Sequence, residues 1–439
     1  MLRKIKTGAE YQIVKVLNQN YQYLKFTYSM PQKPRLFYLA WTTPSQRGGA
    51  CLAMYRHFIL RNDFDIFVAS STEFNHPNIP SLLIHRHPVI KRLSNTRLSR
   101  LVRQFEMLIE PYLVLKQVES ICNQFSPDAI FTIPDNTLSW TAYLLAKKTG
   151  LPLITNFQDW WPKGQFTLDL EKPYPIIREL LEHRFYKMYS ASSLVLCTSA
   201  GMQQKLGKHS NSTVLYPCPA EREPSIKPQF TYPDPDKPLR VIYAGTIINA
   251  YGRSVLNLAK LLRGRNDIEF HVYGPPPDWS IEDQNWMKNE GFYLGLVSHE
   301  ELKSKLYEAD ACLVVMSFEE EFRVMMETSF TTKFLEYSQF GKPIIVWGPK
   351  YCQPIQIAQA YGCGLTVTSS NPNDVVSSLS QLRNYSNWQA LAQKSWQAAN
   401  SIFDSNSIHN ILKQSIYKLV HNSHEDIELD TKSINQGSL

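Results

Sequence analysis

The sequence contains no group of neighbouring cysteines. Its seven cysteines are scattered over 439 residues, with no Cys-x-x-Cys pair and no Cys and His spacing of the kind that binds a metal. A dispersed and odd set is typical of reduced thiols in a cytoplasmic protein, and it argues against a disulfide framework or a structural zinc site. We therefore expect no metal and no cofactor.

Long apolar runs are also missing. The strongest run, at 311–316, is far shorter than the ~20 residues that cross a bilayer, and segment 1–19 has no apolar core of a secretory signal. With 43% apolar and 19% charged residues the chain is globular, and its length predicts two or three domains. We expect a cytoplasmic protein, either soluble or peripheral on the inner face of the plasma membrane.

One segment, 85–105, has no carboxylate but carries six cations. Apolar residues recur there and just beyond it at three- and four-residue spacing and form one stripe on a helix: Leu98, Leu101, Val102, Phe105, Leu108 and Ile109. A basic amphipathic helix fits an anionic membrane surface or an anionic ligand, with Arg97, Arg100 and Arg103 as the contact patch. The alternative, slightly favoured by the sequence, is a helix that packs on the core through this stripe. No nucleic-acid-binding motif accompanies the patch, so we expect no nucleic-acid partner.

Short apolar β-type runs alternate with helical stretches in two series. Segment 217–238 separates them with seven prolines, which disfavour helices and central strands. The predicted strands lie at 36–40, 65–69, 129–133, 153–155, 194–197 and 214–216, and then at 239–244, 269–273, 292–294, 311–315, 344–347 and 365–367. Such alternation predicts two doubly wound α/β domains that face a cleft. The expected boundaries are an unclear N-terminal extension at 1–34, a first domain at 35–222, a linker at 223–238, a second domain at 239–384, closing helices at 385–420 and a disordered tail at 421–439.

Ligands of doubly wound sheets bind at the carboxyl ends of the strands, so the loops after the strands are the candidate sites. Arg47, Gly48 and Gly49 follow the first strand and suit an anion or a sugar, although a plain flexible turn is the commoner explanation for the glycines. Asp159 and Trp160 follow another strand. They could bind sugar hydroxyls and stack on a sugar ring, or belong to a loop tucked under the core.

The second series offers two further post-strand loops. Gly245 and Thr246 end a strand, and Arg253 begins the next helical region, which suits a phosphate at a helix N-terminus. The fuller Gly-x-Gly-x-x-Gly fingerprint is absent, so dinucleotide binding is not supported. Gly274 ends the next strand in a rigid Gly-Pro-Pro-Pro turn.

A predicted helix at 332–340 carries Glu336, the only carboxylate between Glu327 and Asp374. Thr331 is the expected N-cap, and Gly341 lies where a left-handed C-terminal cap would fall. A capping box at Glu336 is excluded, because it requires Ser or Thr three residues earlier, and that residue is Lys333. Two interpretations stay open: a Lys333–Glu336 surface pair, or a ligand contact.

These motifs, in this order, resemble the glycosyltransferase family 4 type of GT-B enzyme, which transfers a sugar from a nucleotide sugar with retention. The second domain carries most of the resemblance, in VIYAGTI (241–247), FHVYGPPP (270–277) and FTTKFLEYSQFGKPIIV (330–346). In the first domain, ITNFQDWWP (154–162) is similar to the family's loop of aspartate and tryptophan.

The resemblance implies roles for individual residues. The family's donor helix has two acids separated by seven residues, and the second, which contacts the ribose, corresponds to Glu336. The first corresponds to Thr328, which is not an acid, and Glu327 lies one place off, about 100° around a helix. The resemblance further implies that the Gly245–Thr246 loop and Lys333 lie near the diphosphate, Leu296 and Val297 near the base, and Ser317 near the sugar.

The expected function is that of a metal-independent, hexosyltransferase-type retaining glycosyltransferase. Its partners would be a nucleotide-sugar donor and a glycan or polyprenyl-linked acceptor, as in cell-surface polysaccharide synthesis, with Asp159 orienting the acceptor or the sugar. Three alternatives stay open: a nucleotide-sugar epimerase of the same fold, a non-catalytic sugar-nucleotide-binding partner, and an interaction protein in a membrane assembly.

Overall fold

The computed structural model describes residues 32–163, 172–221, 228 and 230–435, with side chains as far as residue 421. The chain divides into a unit at Met1–Lys33 and a unit at Pro34–Leu439, and every element described below belongs to the second unit. The predicted extension at 1–34 lies outside the described residues except for 32–34, and so does part of the predicted linker.

The first domain is built on a seven-stranded, all-parallel sheet with strand order β3-β2-β1-β4-β5-β6-β7. Its strands are β1 Arg35–Leu39, β2 Asp65–Ser70, β3 Ser81–Leu83, β4 Ala129–Thr132, β5 Leu153–Phe157, β6 Leu194–Cys197 and β7 Ser212–Val214. Its helices are α1 Gly49–Phe58, α2 Pro88–Leu93, α3 Ser99–Phe125, α4 Leu138–Thr149, α5 Pro175–Ala191 and α6 Ala200–Leu206. Strand β4 is buried at every position, because helices cover both faces of a parallel sheet.

The second domain has a six-stranded parallel sheet with strand order β10-β9-β8-β11-β12-β13. The strands are β8 Leu239–Ala244, β9 Ile268–Tyr273, β10 Tyr293–Gly295, β11 Ala311–Val315, β12 Ile344–Trp347 and β13 Leu365–Val367. The helices are α7 Asn249–Leu262, α8 Ile281–Asn289, α9 His299–Glu308, α10 Arg323–Thr328, α11 Thr332–Ser338, α12 Gln353–Tyr361 and α13 Pro372–Gln381. The predicted pair of doubly wound Rossmann-like domains is therefore confirmed.

Two closing helices, α14 Tyr385–Ala399 and α15 Ser405–Asn435, follow the second domain. Helix α15 returns to the first domain, where His409 Nε2 lies 2.8 Å from Asp63 Oδ2 and Lys413 Nζ lies 2.6 Å from Asp63 Oδ1. It continues to Asn435, beyond residue 420, where the sequence suggested that a disordered tail begins. No helix in the described part of the chain is long and apolar enough to cross a membrane.

The structure of the basic segment at 85–105 differs from the slightly favoured prediction, in which its apolar stripe packs on the core. It forms two helices, α2 and α3, and most of the predicted stripe faces outward: Leu98, just before α3, and Leu101, Phe105 and Ile109 are exposed, whereas Val102 and Leu108 are half-buried. The helix packs instead through Met107, Val114, Val118 and Cys122, together with the buried polar side chains of Gln104 and Glu106. Periodicity identified the stripe correctly, but not the side of the helix on which the core lies.

Candidate active site in the interdomain cleft

The carboxyl ends of the two sheets face each other across a cavity of about 500 Å³. Gly49, Leu52 and Arg56 of α1 line it from the first domain. The second domain contributes the loop after β8 and the helices α9 and α11, including Gly245, Thr246, His299, Lys333 and Glu336. A larger hollow of about 720 Å³ lies around Lys237, Arg240 and Lys342, at the amino ends of the second sheet. Because ligands of parallel sheets bind at the carboxyl ends, we take the interdomain cavity as the candidate site.

Helix α11 brings Glu336 into this cavity. Thr331 is the N-cap as predicted, although its hydroxyl makes no capping hydrogen bond, and Gly341 adopts φ 61° after the helix ends. Glu336 Oε1 accepts a hydrogen bond from Arg56 Nη1 of the first domain at 2.5 Å. Arg56 Nη1 also donates to the carbonyl of Cys218 at 2.8 Å. Glu336 is thus held by an interdomain ion pair, and the surface pair with Lys333 does not form.

Arg56 was not found by sequence reasoning. It lies inside a helix without a motif, and its role depends on a partner 280 residues away. The guanidinium is almost fully buried, whereas about a quarter of the Glu336 side chain remains exposed to the cavity. Glu336 Oε2 accepts no hydrogen bond from the described residues, and the side chain lines the cavity, where a ligand hydroxyl could donate to this oxygen.

Lys333 lies one turn before Glu336 and has no ion pair or hydrogen bond to any described residue. Its ammonium lies 5.0 Å from the ring centroid of Tyr243 and 5.5 Å from that of Tyr251. Gly245, at φ 136°, passes directly over it, and a Cβ at that position would overlap Lys333 Cε. Desolvation lowers the pKa of Lys333 to about 8. An unneutralised ammonium in a partly buried site is suited to bind an anion.

The helix N-terminus that was expected to hold a phosphate has another partner. Helix α7 begins at Asn249, whose backbone N–H donates to the carboxylate of Asp278 at 2.7 Å. Arg253 lies one turn into the helix and forms an ion pair with Glu319 at 2.6 Å, outside the residues that line the cavity. Of the two cations predicted for the donor site, Lys333 lines the cavity and Arg253 does not.

Asp159 joins the domains at a second point. Its Oδ1 accepts a hydrogen bond from the Ser329 hydroxyl at 2.5 Å. The carboxylate is open to the cleft, but the surrounding protein desolvates it and raises its pKa. Burial, followed by the nearby charge of Asp159, also raises the pKa of Tyr251, so Asp159 lies close to the rings that enclose Lys333. A small cavity of about 90 Å³ lies beside it and is lined by Asn156, whose Oδ1 is buried without a partner among the described residues.

Trp160 is not a stacking surface. It is buried in the first domain, its indole N–H donates to Glu182 at 3.1 Å, and its ring packs on Phe185. The tryptophan that reaches solvent is Trp41, 51% exposed and two residues after β1. Its position in a post-strand loop was a signal that sequence reasoning missed.

The glycines after β1 occupy the predicted place. Gly48 and Gly49 have φ angles of 94° and 53°, a region that favours glycine, and Gly49 lines the cavity. Arg47 beside them is exposed. Asp135, which follows β4, was missed: its Oδ2 accepts from the N–H of Thr42 at 2.8 Å, and its Oδ1 is buried without a partner among the described residues. Burial raises the pKa of Asp135 to about 6.

The remaining predicted donor residues have different environments. Gly274 supports the loop after β8, because a Cβ there would overlap the Gly245 carbonyl. Leu296 is exposed and Val297 is half-buried, just before helix α9. Ser317 is fully buried outside the cavity lining, and its hydroxyl accepts from the N–H of Glu319. The structure does not support its assignment to the sugar.

Neither Thr328 nor Glu327 supplies the family's first acid. Thr328 is fully buried, and its hydroxyl donates to the Val324 carbonyl at 2.7 Å. Glu327 forms ion pairs with Lys205 at 2.7 Å and with Arg323 at 2.9 Å. The described residues contain no group of three or more His, Cys, Asp or Glu side chains that could hold a metal ion.

Comparison with known proteins identifies the fold through solved structures. No family model matches the sequence, and no curated protein matches it. Among solved structures, sucrose-phosphate synthase from Thermosynechococcus elongatus is 13% identical, with 89% of this chain and 100% of that chain covered and a TM-score of 0.62. Anabaena HepE in complex with UDP and glucose is 13% identical, with 88% and 99% covered and a TM-score of 0.58. Trehalose-6-phosphate synthase OtsA is 11% identical, with 88% and 98% covered and a TM-score of 0.57. The predicted GT-B fold is thus confirmed.

The environment of Lys333 predicts how anion binding depends on pH. The free ammonium is charged below a pKa of about 8 and neutral above it. We expect the affinity for pyrophosphate, measured by calorimetry, to fall about tenfold between about pH 7 and about pH 9. Lys333→Met should bind more weakly and lose this pH dependence, whereas an unchanged pH profile in that variant would contradict the assignment. The enclosing tyrosines do not interfere, because burial raises the pKa of both well above this range.

Proposed function

We propose that the protein is a retaining glycosyltransferase that moves a sugar from a nucleotide-sugar donor to a glycan or lipid-linked acceptor. One observation carries the proposal: Lys333 and Glu336, one turn apart on α11, present an unpaired ammonium and an accessible carboxylate oxygen to the interdomain cavity. A nucleoside diphosphate needs this pair of groups, with a cation for its phosphates and an acceptor for its ribose hydroxyls. Fold likeness to proteins such as HepE, whose structure contains UDP, agrees with it.

On the donor side, Arg56 orients the carboxylate. Because Oε1 of Glu336 is engaged by the guanidinium, Oε2 is left for the ribose hydroxyls. The diphosphate would then lie beside the Lys333 ammonium and the loop at Gly245, both of which line the cavity. Charge that develops on the leaving diphosphate is stabilised most effectively by a preorganised cation in a site with little water.

On the acceptor side, Asp159, Asn156 and Trp41 are the groups that could bind hydroxyls or stack on a sugar. The acceptor oxygen would form its bond to the anomeric carbon on the face from which the diphosphate departs. The hydroxyl proton would pass to the departing phosphate oxygen, so atoms and charge balance without a protein nucleophile. Asp159, across the cleft from Ser329, would orient the acceptor or the transferred sugar.

A nucleotide-sugar epimerase is the second candidate. The observation that favours it is a pair of carboxylates with raised pKa values, Asp135 after β4 and Asp159 after β5, at the carboxyl edge of the first sheet, because an epimerase needs an acid and a base. Incubation of the protein with labelled nucleotide sugars, with and without glycan or lipid-linked acceptors, separates the two functions. Transfer with the donor's anomeric configuration supports the first candidate, and interconversion of free donors supports the second. Binding without turnover would indicate a non-catalytic partner and contradict both.

Removing Glu336 should weaken nucleotide binding. A hydrogen bond to a charged group contributes about 1.5–3 kcal/mol, so we expect Glu336→Ala to lower the affinity for nucleoside diphosphates at least tenfold by calorimetry. Because this variant also leaves Arg56 buried without its partner, Glu336→Gln serves as a conservative second variant that keeps the shape of the side chain. Glu327→Ala, which breaks ion pairs with Lys205 and Arg323 outside the cavity lining, is the matched control and should bind normally. Equal affinities of the wild type and both Glu336 variants would refute the ribose contact.

Asp159→Asn should slow turnover at least tenfold with little change in melting temperature, because the amide oxygen can still accept from Ser329 while the charge is lost. Ser329→Ala is the control, since it removes the same interdomain hydrogen bond and leaves the carboxylate in place. If the two variants have equal kcat and equal melting temperature, Asp159 only joins the domains. A large loss of stability in Asp159→Asn, with a normal kcat of the protein that remains folded, would also indicate that Asp159 only joins the domains.

A further inference from the structure

We propose that the outer face of α3 docks on an anionic lipid bilayer. The docking element is an apolar ridge of Leu98, Leu101, Phe105, Ile109 and Tyr112, whose exposed fractions lie between 44% and 59%. At 100° per residue, these five positions fall within about 80° of one another around the helix axis. They therefore form one continuous stripe, and the core-packed face of the helix lies elsewhere.

Neighbouring elements widen the apolar ridge. Helix α5 exposes Ile176 (68%) and Leu180 (46%), and α2 exposes Val89 and Leu93. Helices α3 and α5 are tied together, because Arg184 donates to the carbonyls of Met107 and Leu108. So large an exposed apolar surface on one side of a domain is uncommon in a protein that works alone in water.

The exposed charged side chains of segment 85–105, next to the apolar ridge, are all positive. Of the six cations expected there, Arg86 and Arg103 both form ion pairs with the buried carboxylate of Glu106, which removes Arg103 from the predicted contact patch. Arg100 lies over the ring of Tyr174 at 5.0 Å. The remaining three, Lys91, Arg92 and Arg97, are exposed and have no carboxylate partner among the described residues. An apolar surface flanked by unneutralised cations is complementary to an anionic bilayer, where apolar side chains enter the interface and cations meet phosphates.

The topology places the apolar ridge at the rim of the cleft. Helix α3 leads into the parallel strand β4, so it runs against the strand direction and begins at the carboxyl edge of the sheet. Its 27 residues span about 40 Å, at 1.5 Å each, whereas a four-residue strand spans about 13 Å. The N-terminal half of α3 therefore extends beyond the edge at which the cavity opens. This position would bring a lipid-linked acceptor to the site, an inference that rests on the proposed function.

Sedimentation with vesicles tests the docking directly. The full-length protein should sediment with vesicles of phosphatidylcholine and phosphatidylglycerol, less so as salt rises, and not with phosphatidylcholine alone. Phe105→Ser and the triple variant Lys91→Glu, Arg92→Glu, Arg97→Glu should each weaken partitioning at least tenfold. Ile281→Ser is the matched control, because Ile281 is a 79% exposed apolar residue on α8 of the second domain, and it should partition as the wild type does.

The proposal would be overturned by any of three results: unchanged partitioning of the triple variant, equal binding to neutral vesicles, or a dimer in solution that Phe105→Ser dissociates. The last result would show that a second copy of the chain covers the apolar ridge. Nucleotide affinity, measured on the same variants, should stay at the wild-type value. If the wild type binds vesicles but no nucleotide, the docking stands and the proposed function fails.

Discussion

The ion pair between Arg56 and Glu336 is the interaction on which the arrangement of the cleft depends. It joins α1 of the first domain to α11 of the second, and its guanidinium is almost fully buried. Removing one partner from such a pair leaves an uncompensated buried charge, which costs about 3–5 kcal/mol. The pair therefore fixes the direction of the carboxylate from the opposite domain. A nucleotide bound to Glu336, as proposed, would touch a residue that joins the domains, so this contact would couple donor binding to domain closure.

Lys333 lies on the same helix as Glu336 but, unlike Glu336, forms no ion pair with a described residue. Residues three apart on a helix are near enough to form an ion pair, yet Lys333 turns under Gly245 and between two tyrosine rings instead. Because Gly245 leaves space for the lysine chain and no carboxylate follows it there, the ammonium stays unneutralised. One helix thus contributes a carboxylate held by the protein and a cation left for a ligand.

Continuous apolar runs made the central strands predictable, and β6, β8, β11, β12 and β13 have the expected bounds. Strand β3, Ser81–Leu83 at a sheet edge, was missed, and two of its three residues are exposed. Lys333 and Glu336 could be found because they lie within a motif. Arg56 and Asp135 could not, since their importance arises only when distant segments meet. The sequence slightly favoured packing of the apolar stripe on the core and left membrane docking open, because periodicity locates a face and does not say what covers it.

The proposed binding of a nucleoside diphosphate by Glu336 and Lys333 can be tested by a crystal structure. The protein would be crystallised with the nucleoside diphosphate that stabilises it most in a thermal-shift screen. We expect the ribose hydroxyls at hydrogen-bond distance from Glu336 Oε2, Arg56 still on Oε1, and the diphosphate beside the Lys333 ammonium and the loop at Gly245. A nucleotide bound in the hollow around Lys342, or one in the cleft whose ribose and phosphates touch neither Glu336 nor Lys333, would contradict it.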